Sequence, residues 1–179
     1  MPGPRIRTPR LELIAATVEL VRAEVADAGK FSRLLEARVP GEEEGEPWPP
    51  VSARDVIGLF LAYLERDPGM AGWLNWYWVL VDEKTGERTL IGNGGFTSRP
   101  VDHVVAVGYS VLRQYQGKGY ATEAVEALVG WALSHDEVDC VIADVEKGNR
   151  RSARVLEKAG FRLAGEGSEE GTMRYVRSK

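Results

Sequence analysis

The stretch from residue 104 to residue 133 restricts the fold most. "VVAVGYSVL" is an apolar strand pattern, and "RQYQGKGYATEAVEALVGWAL" follows it at once. Within the second run Ala121, Ala124, Val125, Leu128, Val129 and Ala132 fall on one helical stripe, while Thr122, Glu123 and Glu126 lie elsewhere. A strand that turns directly into such a helix needs a sheet for the apolar face to cover. The turn between them holds Gly117 and Gly119 on either side of Lys118. Glycines let the backbone approach a ligand, the first helical N–H groups are unpaired, and the helix dipole is positive at that end. Such a turn suits a phosphate; it equally suits a tight connection that needs glycine for its conformation. Two nucleotide patterns fail here. A Walker loop requires G-x-x-x-x-G-K-[ST], and no glycine stands five residues before Gly117. A dinucleotide fingerprint requires a third glycine where Thr122 stands.

The flanking sequence supplies the sheet. "RLELIAA", from Arg10, alternates as a first strand. "ATVELVRAEVADAGKFSRLLEARV" reads as one or two helices with a break at Gly29, and "PGEEEGEPWPP" (40 to 50) as an exposed loop. Ser52 is placed to cap a helix over "ARDVIGLFLAYLERDPG", whose Val56, Leu59, Phe60 and Tyr63/Leu64 recur at helical spacing until Pro68-Gly69 stops it. "WLNWYWVLVD" and "TLIGNGGFTS" form a hairpin with its turn near Gly86. "VDCVIADV" is a strand, "NRRSARVLEKAGF" a helix ended by Gly160 as a left-handed residue, and "FRLAGEG" and "TMRYVRS" close the chain as strands. The expectation is one α/β (α+β) domain over residues 1–179, with a mixed, mostly antiparallel central sheet flanked by helices.

Composition removes several functions. The chain has 179 residues, enough to bury a core without metals or disulfides, and a net charge of −4. No basic face is implied, so nucleic acid is not expected as a partner. The single cysteine, Cys140, excludes an internal disulfide and a thiolate zinc site, and reads as a buried small hydrophobe. His103 and His135 lie far apart, so no metal is expected. No run approaches the roughly 20 apolar residues of a membrane helix, and the N-terminus has no apolar leader. A cytoplasmic protein with no membrane partner is the expectation; a homodimer is compatible with the sequence and not demanded by it.

"NRRSARVLEKAGFRLAGEG" comes about 30 residues after the glycine turn, again behind a strand, with Asn149, Ser152, Leu156, Glu157, Gly160 and Phe161 in order. With this second element the chain resembles the GCN5-related N-acetyltransferase (GNAT) superfamily. It is most similar to the branch that includes ribosomal-protein N-terminal (alanine) acetyltransferases. The resemblance covers nearly the whole chain: "TPRLEL" matches the first strand of that branch, "GYSVL" its fourth, "QYQGKGYATEA" its acyl-CoA loop and helix, and "NRRSARVLEKAGF" its asparagine helix. The four in order, at matching spacing, are far more specific than any one.

The resemblance implies a bulged fourth strand that splays from the fifth, the gap receiving the pantetheine arm of acetyl-CoA. The arm is amide-rich and can pair with exposed strand groups. The backbone of Val111 and Arg113 would then bind pantetheine. The amides of Gln114, Gln116, Gly117, Lys118, Gly119, Tyr120, Ala121 and Thr122 would cradle the pyrophosphate. Asn149 would hydrogen-bond the arm, and Ser152 would stand near the sulfur. Many relatives use a tyrosine of the asparagine helix as general acid; residues 149 to 160 contain none, which leaves Ser152. Read without the resemblance, Asn149 is a helix cap and Ser152 a solvent-facing residue.

The implied reaction is acyl transfer by direct attack of an amine on the thioester, with an oxyanion near backbone N–H groups of the fourth strand. The acceptor is either a protein N-terminal α-amine or a small amine. An α-amine has a pKa of about 7.7–8.0 and is roughly one-tenth neutral at pH 7; a lysine amine, near 10.4, is neutral less than about 0.1% of the time, so a general base matters far more for the latter. The branch often has an acidic residue two before the "GY", where this chain has Ala106. Asp102, His103, Asp144 and Glu146 are the nearest alternatives, and Asp144, five before Asn149, is the base candidate taken forward. A CoA-binding sensory or regulatory module without turnover is the alternative that Ala106 keeps open. On the acceptor side, Trp73, Trp76, Tyr77 and Trp78 are divided between core and pocket. Trp48 is an anchor or part of a site, and Glu42, Glu43, Glu44 and Glu46 are either an attractor for a cationic amine or a solvated charge run.

Overall fold

The computed structural model describes residues 2–179. Eight strands form one sheet, β1 (Arg5–Arg7), β2 (Leu11–Ala15), β3 (Asn75–Val81), β4 (Arg88–Phe96), β5 (Val104–Val111), β6 (Cys140–Glu146), β7 (Arg162–Glu166) and β8 (Thr172–Ser178). Their order is β1-β2-β3-β4-β5-β6-β8-β7, and every pairing is antiparallel except β5 with β6. Among the described residues there are five α-helices, α1 (Val18–Ala26), α2 (Ala28–Leu35), α3 (Val51–Arg66), α4 (Tyr120–Leu133) and α5 (Arg150–Lys158). This is the mixed, mostly antiparallel α/β architecture expected, with β1 as an unforeseen edge strand; the GYSV strand is therefore β5 here. Among the described residues no helix is long and apolar enough to cross a membrane.

The central strands alternate between two apolar layers, because successive side chains point to opposite faces. Leu11, Leu13, Trp76, Trp78 and Ile91 pack with the α4 stripe of Ala124, Val125, Leu128 and Val129. Ile14, Tyr77, Val79 and Leu90 pack with Leu20, Phe31, Leu35, Ile57 and Leu64 on the other side. Burying a side chain such as Leu or Val contributes about 1.5–3 kcal/mol, so the two layers dominate the stability. Trp73, Trp76, Tyr77 and Trp78 are all core, not a mixture of core and pocket. Trp73 and Trp76 surround Trp131 with ring centroids 4.8 and 5.2 Å away.

Three local expectations change. The first helical run breaks at Asp27, not Gly29: Asp27 ends α1 and its carboxylate accepts from the Lys30 N–H to start α2, so a capping carboxylate decides the break. Ser52 does not cap α3, which begins at Val51 behind Pro50; its hydroxyl instead meets that of Ser110 at 3.2 Å. Cys140 is half-buried rather than buried. The hairpin turn near Gly86 and the left-handed Gly160, at φ +86°, are as expected.

The feature that makes room for a ligand lies between β5 and β6. They pair only from Val104 to Ala106 against Cys140 to Ile142. Beyond Ala106 the strands diverge. The expected bulge in the GYSV strand is not what opens the fork: β5 stays in regular register with β4 from Val107 to Val111, and the irregularity lies one strand over, between Trp78 and Val79.

Candidate functional site

Below the fork, residues 113–122 build a cradle. Arg113–Tyr115 make one 3₁₀ turn, and Gly119 caps α4 with φ +84°. Gly117 is also left-handed, φ +76°, and a Cβ built there would meet nothing within 4 Å. The glycines are thus needed for conformation, and Gly117 faces open space as well. A groove of about 840 Å³ runs over this turn, walled by Val111, Gln116, Gly117, Gly119, Tyr120, Ala121 and Thr122 on one side and by Gly148, Asn149 and α5 on the other. Arg150, Arg151, Arg154 and Lys158 line the α5 wall. Unpaired N–H groups of a helix start and four cations fit a polyphosphate tail.

The cradle is fastened from behind by the N-terminal segment. Glu123, in the first turn of α4, accepts from the Thr8 hydroxyl at 2.6 Å, the Arg10 N–H at 2.7 Å and Arg10 Nε at 2.7 Å. Burial pushes the Glu123 carboxyl up, but the Thr8 and Arg10 donors bring it below its ordinary range. Arg10 also donates to the Lys118 carbonyl at 2.9 Å and lies over the Tyr120 ring. The "TPR" stretch therefore holds the glycine turn in place.

A second cavity of about 190 Å³ opens between α3 and strands β4 and β5, on the other face of the sheet. Ser52, Ala53, Val56 and Phe60 form its helix wall; Asn75, Asn93, Gly94, Phe96, Tyr109 and Ser110 belong to its sheet wall. Gly94 is obligatory there, since a Cβ would sit 2.6 Å from the Trp78 ring and 2.8 Å from the Tyr109 Cβ. Tyr109 and Ser110 line both cavities, so the two meet at these residues. Neither wall contains an acidic side chain among the described lining residues.

Residues 17–162 match the family model described as an acetyltransferase (GNAT) domain. The chain belongs to the GNAT acetyltransferase family. It is 28% identical over 172 residues to an uncharacterized N-acetyltransferase, YjdG, of Bacillus subtilis, covering 96% of this chain and 97% of that protein. It is 27% identical over 170 residues to the [ribosomal protein uS5]-alanine N-acetyltransferase of Escherichia coli, covering 91% and 84%. Among solved structures, RimL, a ribosomal L7/L12 α-N-protein acetyltransferase in complex with coenzyme A, superposes with a TM-score of 0.62 at 17% identity, over 98% of each chain; that likeness concerns the fold.

Within this GNAT enzyme the residues singled out from sequence separate into two sets. Val111, Gln116, Gly117, Gly119, Tyr120, Ala121, Thr122, Asn149 and Ser152 all line the groove. Arg113, Gln114 and Lys118 do not. The Arg113 N–H donates to the Glu46 carboxylate at 2.9 Å, and the Gln114 amide pairs with both backbone groups of Glu46, at 3.2 and 3.1 Å. The Lys118 ammonium turns over the Tyr115 ring. The 3₁₀ turn rotates Arg113 and Gln114 toward the acidic loop, so sequence adjacency does not become groove adjacency. Gln116 bridges the fork instead, donating to the Val111 carbonyl at 2.8 Å and accepting from Arg151. Asn149 caps α5, its Oδ1 accepting from the Ser152 N–H at 3.2 Å, and the residue lines the groove.

Asp144 does not reach either cavity wall. It stands opposite Arg174 in the β6–β8 ladder, which binds both its oxygens at 2.8 Å, while the Ser168 N–H and hydroxyl add two more donors. Arg174 holds the carboxyl far below its ordinary range, against the opposing effect of burial. A carboxylate so stabilised is a poor proton acceptor, and the geometry argues against Asp144 as the base. Asp102, His103 and Glu146 do not line the cavities either. One hydroxyl was missed: Tyr109 donates to the Ser152 carbonyl at 3.3 Å, and burial pushes its phenol above the ordinary range despite that bond. It comes from β5, far in sequence from the helix where the family resemblance places a tyrosine.

The acidic loop is a tether. Glu44 pairs with Arg38, Glu46 binds the Arg113 turn, and Trp48 donates to Glu24 at 2.8 Å. Trp48 is thus an anchor, and two of the four glutamates are engaged within the fold, leaving Glu42 and Glu43 exposed.

Proposed function

We propose that this GNAT acetyltransferase moves an acetyl group from acetyl-CoA to a primary α-amine, that of a protein N-terminus or of a small amine of the same chemistry. The observation that carries this is the meeting of the cationic groove and the neutral cavity at Tyr109 and Ser110, with no carboxylate in either wall among the described residues. A site without a general base favours an amine that is already partly neutral, and at pH 7 an α-amine exceeds a lysine amine in neutral fraction by roughly a hundredfold or more. The similarity to the uS5-alanine acetyltransferase of Escherichia coli supports the same class.

When bound, acetyl-CoA supplies the activated carbonyl. The residues of the chain bind and orient. The cradle from Gln116 to Thr122, with Arg150, Arg151, Arg154 and Lys158, holds the phosphates. Asn149 holds the amide arm through the N–H₂ that capping leaves over. Ser152 and Tyr109 bring two hydroxyls to the far end of the groove, and Tyr109, kept protonated by burial, is the stronger candidate to hand a proton to the departing thiolate.

The test is thiol release from acetyl-CoA over a panel of amines: peptides with a free N-terminus, the same peptides N-blocked with one free lysine, and a polyamine. Transfer to the free N-terminus, rising with pH through the amine's own pKa, is expected. Faster transfer to lysine or polyamine would sink the α-amine assignment. Tight CoA binding with no thiol release on any amine would favour a binding module. Tyr109→Phe and Ser152→Ala should lower turnover while leaving CoA affinity within about twofold.

A further inference from the structure

A directional chain of polar side chains runs through the helical layer to the small cavity. It starts at Glu24 on α1, which accepts from Trp48 Nε1 and from the Tyr77 hydroxyl. A carboxylate can only accept and indole can only donate, so the one hydroxyl hydrogen of Tyr77 is committed to Glu24. Burial pushes the Tyr77 phenol up, and the Asn75 side chain pulls it down against burial, as a donor turned toward that oxygen does. That turns Asn75 Oδ1 toward Asn93, whose Nδ2 donates to it at 2.9 Å. Asn93 is left presenting Oδ1, and this oxygen has no partner.

The position of that oxygen gives it meaning. Asn93 is 8% exposed and forms part of the cavity wall. Its strand partner in register is Ser110, which lines both cavities. A buried carbonyl without a donor is costly, and native structures rarely keep one without a reason. An N–H brought in by a ligand would satisfy it.

We infer that Asn93 is a positioning residue for the acceptor, its Oδ1 taking one N–H of the incoming amine, with Glu24, Tyr77 and Asn75 fixing which end of the amide is left unpaired beside the cavity. This rests on the proposed reaction and specifies how its second substrate is held. A neutral carbonyl suits the task. It orients the nitrogen through one N–H and leaves the lone pair free, whereas a carboxylate there would favour the ammonium form, which cannot attack.

The experiment uses the full chain and a short peptide with a free N-terminal alanine. Peptide binding in the presence of CoA is followed by calorimetry, and turnover with acetyl-CoA is followed separately. Asn93→Ala should weaken peptide binding and raise the peptide KM by roughly tenfold or more, with the KM for acetyl-CoA unchanged. Asn93→Asp keeps an acceptor oxygen but loses the N–H that bonds Asn75 Oδ1; it should move the pH–rate profile to higher pH. If the wild type transfers acetyl and Asn93→Ala keeps its peptide KM, the inference fails while the reaction stands. Equal losses for both substrates together with a fall in Tm would also overturn it, marking Asn93 as a packing residue. A wild type that binds the peptide through Asn93 without turnover would support the inference and sink the reaction. A wild type that neither binds nor acetylates it would remove both.

Discussion

The two cavities that meet at Tyr109 and Ser110 are built on different principles. The larger one is made of backbone and charge: a left-handed glycine turn, a helix start, and four cations on α5. Its parts are contiguous in the chain, because consecutive N–H groups of one turn do the binding. The smaller one is made of side chains from α3, β3, β4 and β5, neutral throughout, with one orphaned carbonyl. A charged groove reads any polyphosphate tail; a neutral cavity can discriminate only by shape and by hydrogen bonds left to fill.

The substitution that strikes this contrast hardest is Gly119→Val. At φ +84° a β-branched residue is strained by about 1–3 kcal/mol, and the strain falls on the cradle itself. CoA affinity by calorimetry should drop about tenfold or more; an unchanged affinity would remove the turn from phosphate binding. Next comes Asp144→Asn. Losing the two-pronged bond to Arg174 should cost about 1–3 kcal/mol in Tm-derived stability, with the pH–rate profile unaltered. Because the folded carboxyl lies below its unfolded value, this contribution is present above the unfolded pKa, about 3.9, and disappears as pH falls through the folded one. A flattened acidic limb of the rate profile would instead restore Asp144 as a base.

Smaller effects follow on the groove wall. Arg150→Ala, Arg154→Ala and Lys158→Ala should each weaken CoA about two- to fivefold at low salt, and the difference should shrink at high salt, since these side chains are exposed. Salt-independent losses would argue for packing rather than charge. The smallest change is at Glu24. Burial raises its carboxyl, although Tyr77 and Trp48 pull it back. A raised folded value means that its contribution is complete below about pH 4.3 and fades as pH rises through the folded value. Glu24→Gln should therefore lose less stability than the wild type between pH 4 and pH 8, as read by Tm at each pH.

The sequence carried the first cavity much better than the second, for a physical reason. Gly117, Gly119, Asn149 and Ser152 sit in short contiguous patterns whose local conformation is their function. Arg113 and Gln114 stand off the groove because a run of residues is not a run of contacts: one 3₁₀ turn sends both toward Glu46. The basic face of α5 is present in the spacing of Arg150, Arg151, Arg154 and Lys158. The second cavity had no such signal. Asn75 and Asn93 lie on neighbouring strands, and Tyr109 reaches Ser152 across 43 positions of sequence. Their juxtaposition is a product of register, and a single sequence does not display register. Asp27 could have been found, since an aspartate three residues before an N–H it can cap is a local pattern.

The fork itself bears on mechanics. Five strands on one side and three on the other are stitched by a parallel ladder of only three residue pairs, Val104 to Ala106 with Cys140 to Ile142. A molecule lodged in the opening and bonded to both edges would act as a splint across that seam. Filling the groove should then slow amide hydrogen exchange in β6 and β8 as well as in the cradle, so that occupancy by one substrate stiffens the half of the sheet that the glycine turn never touches.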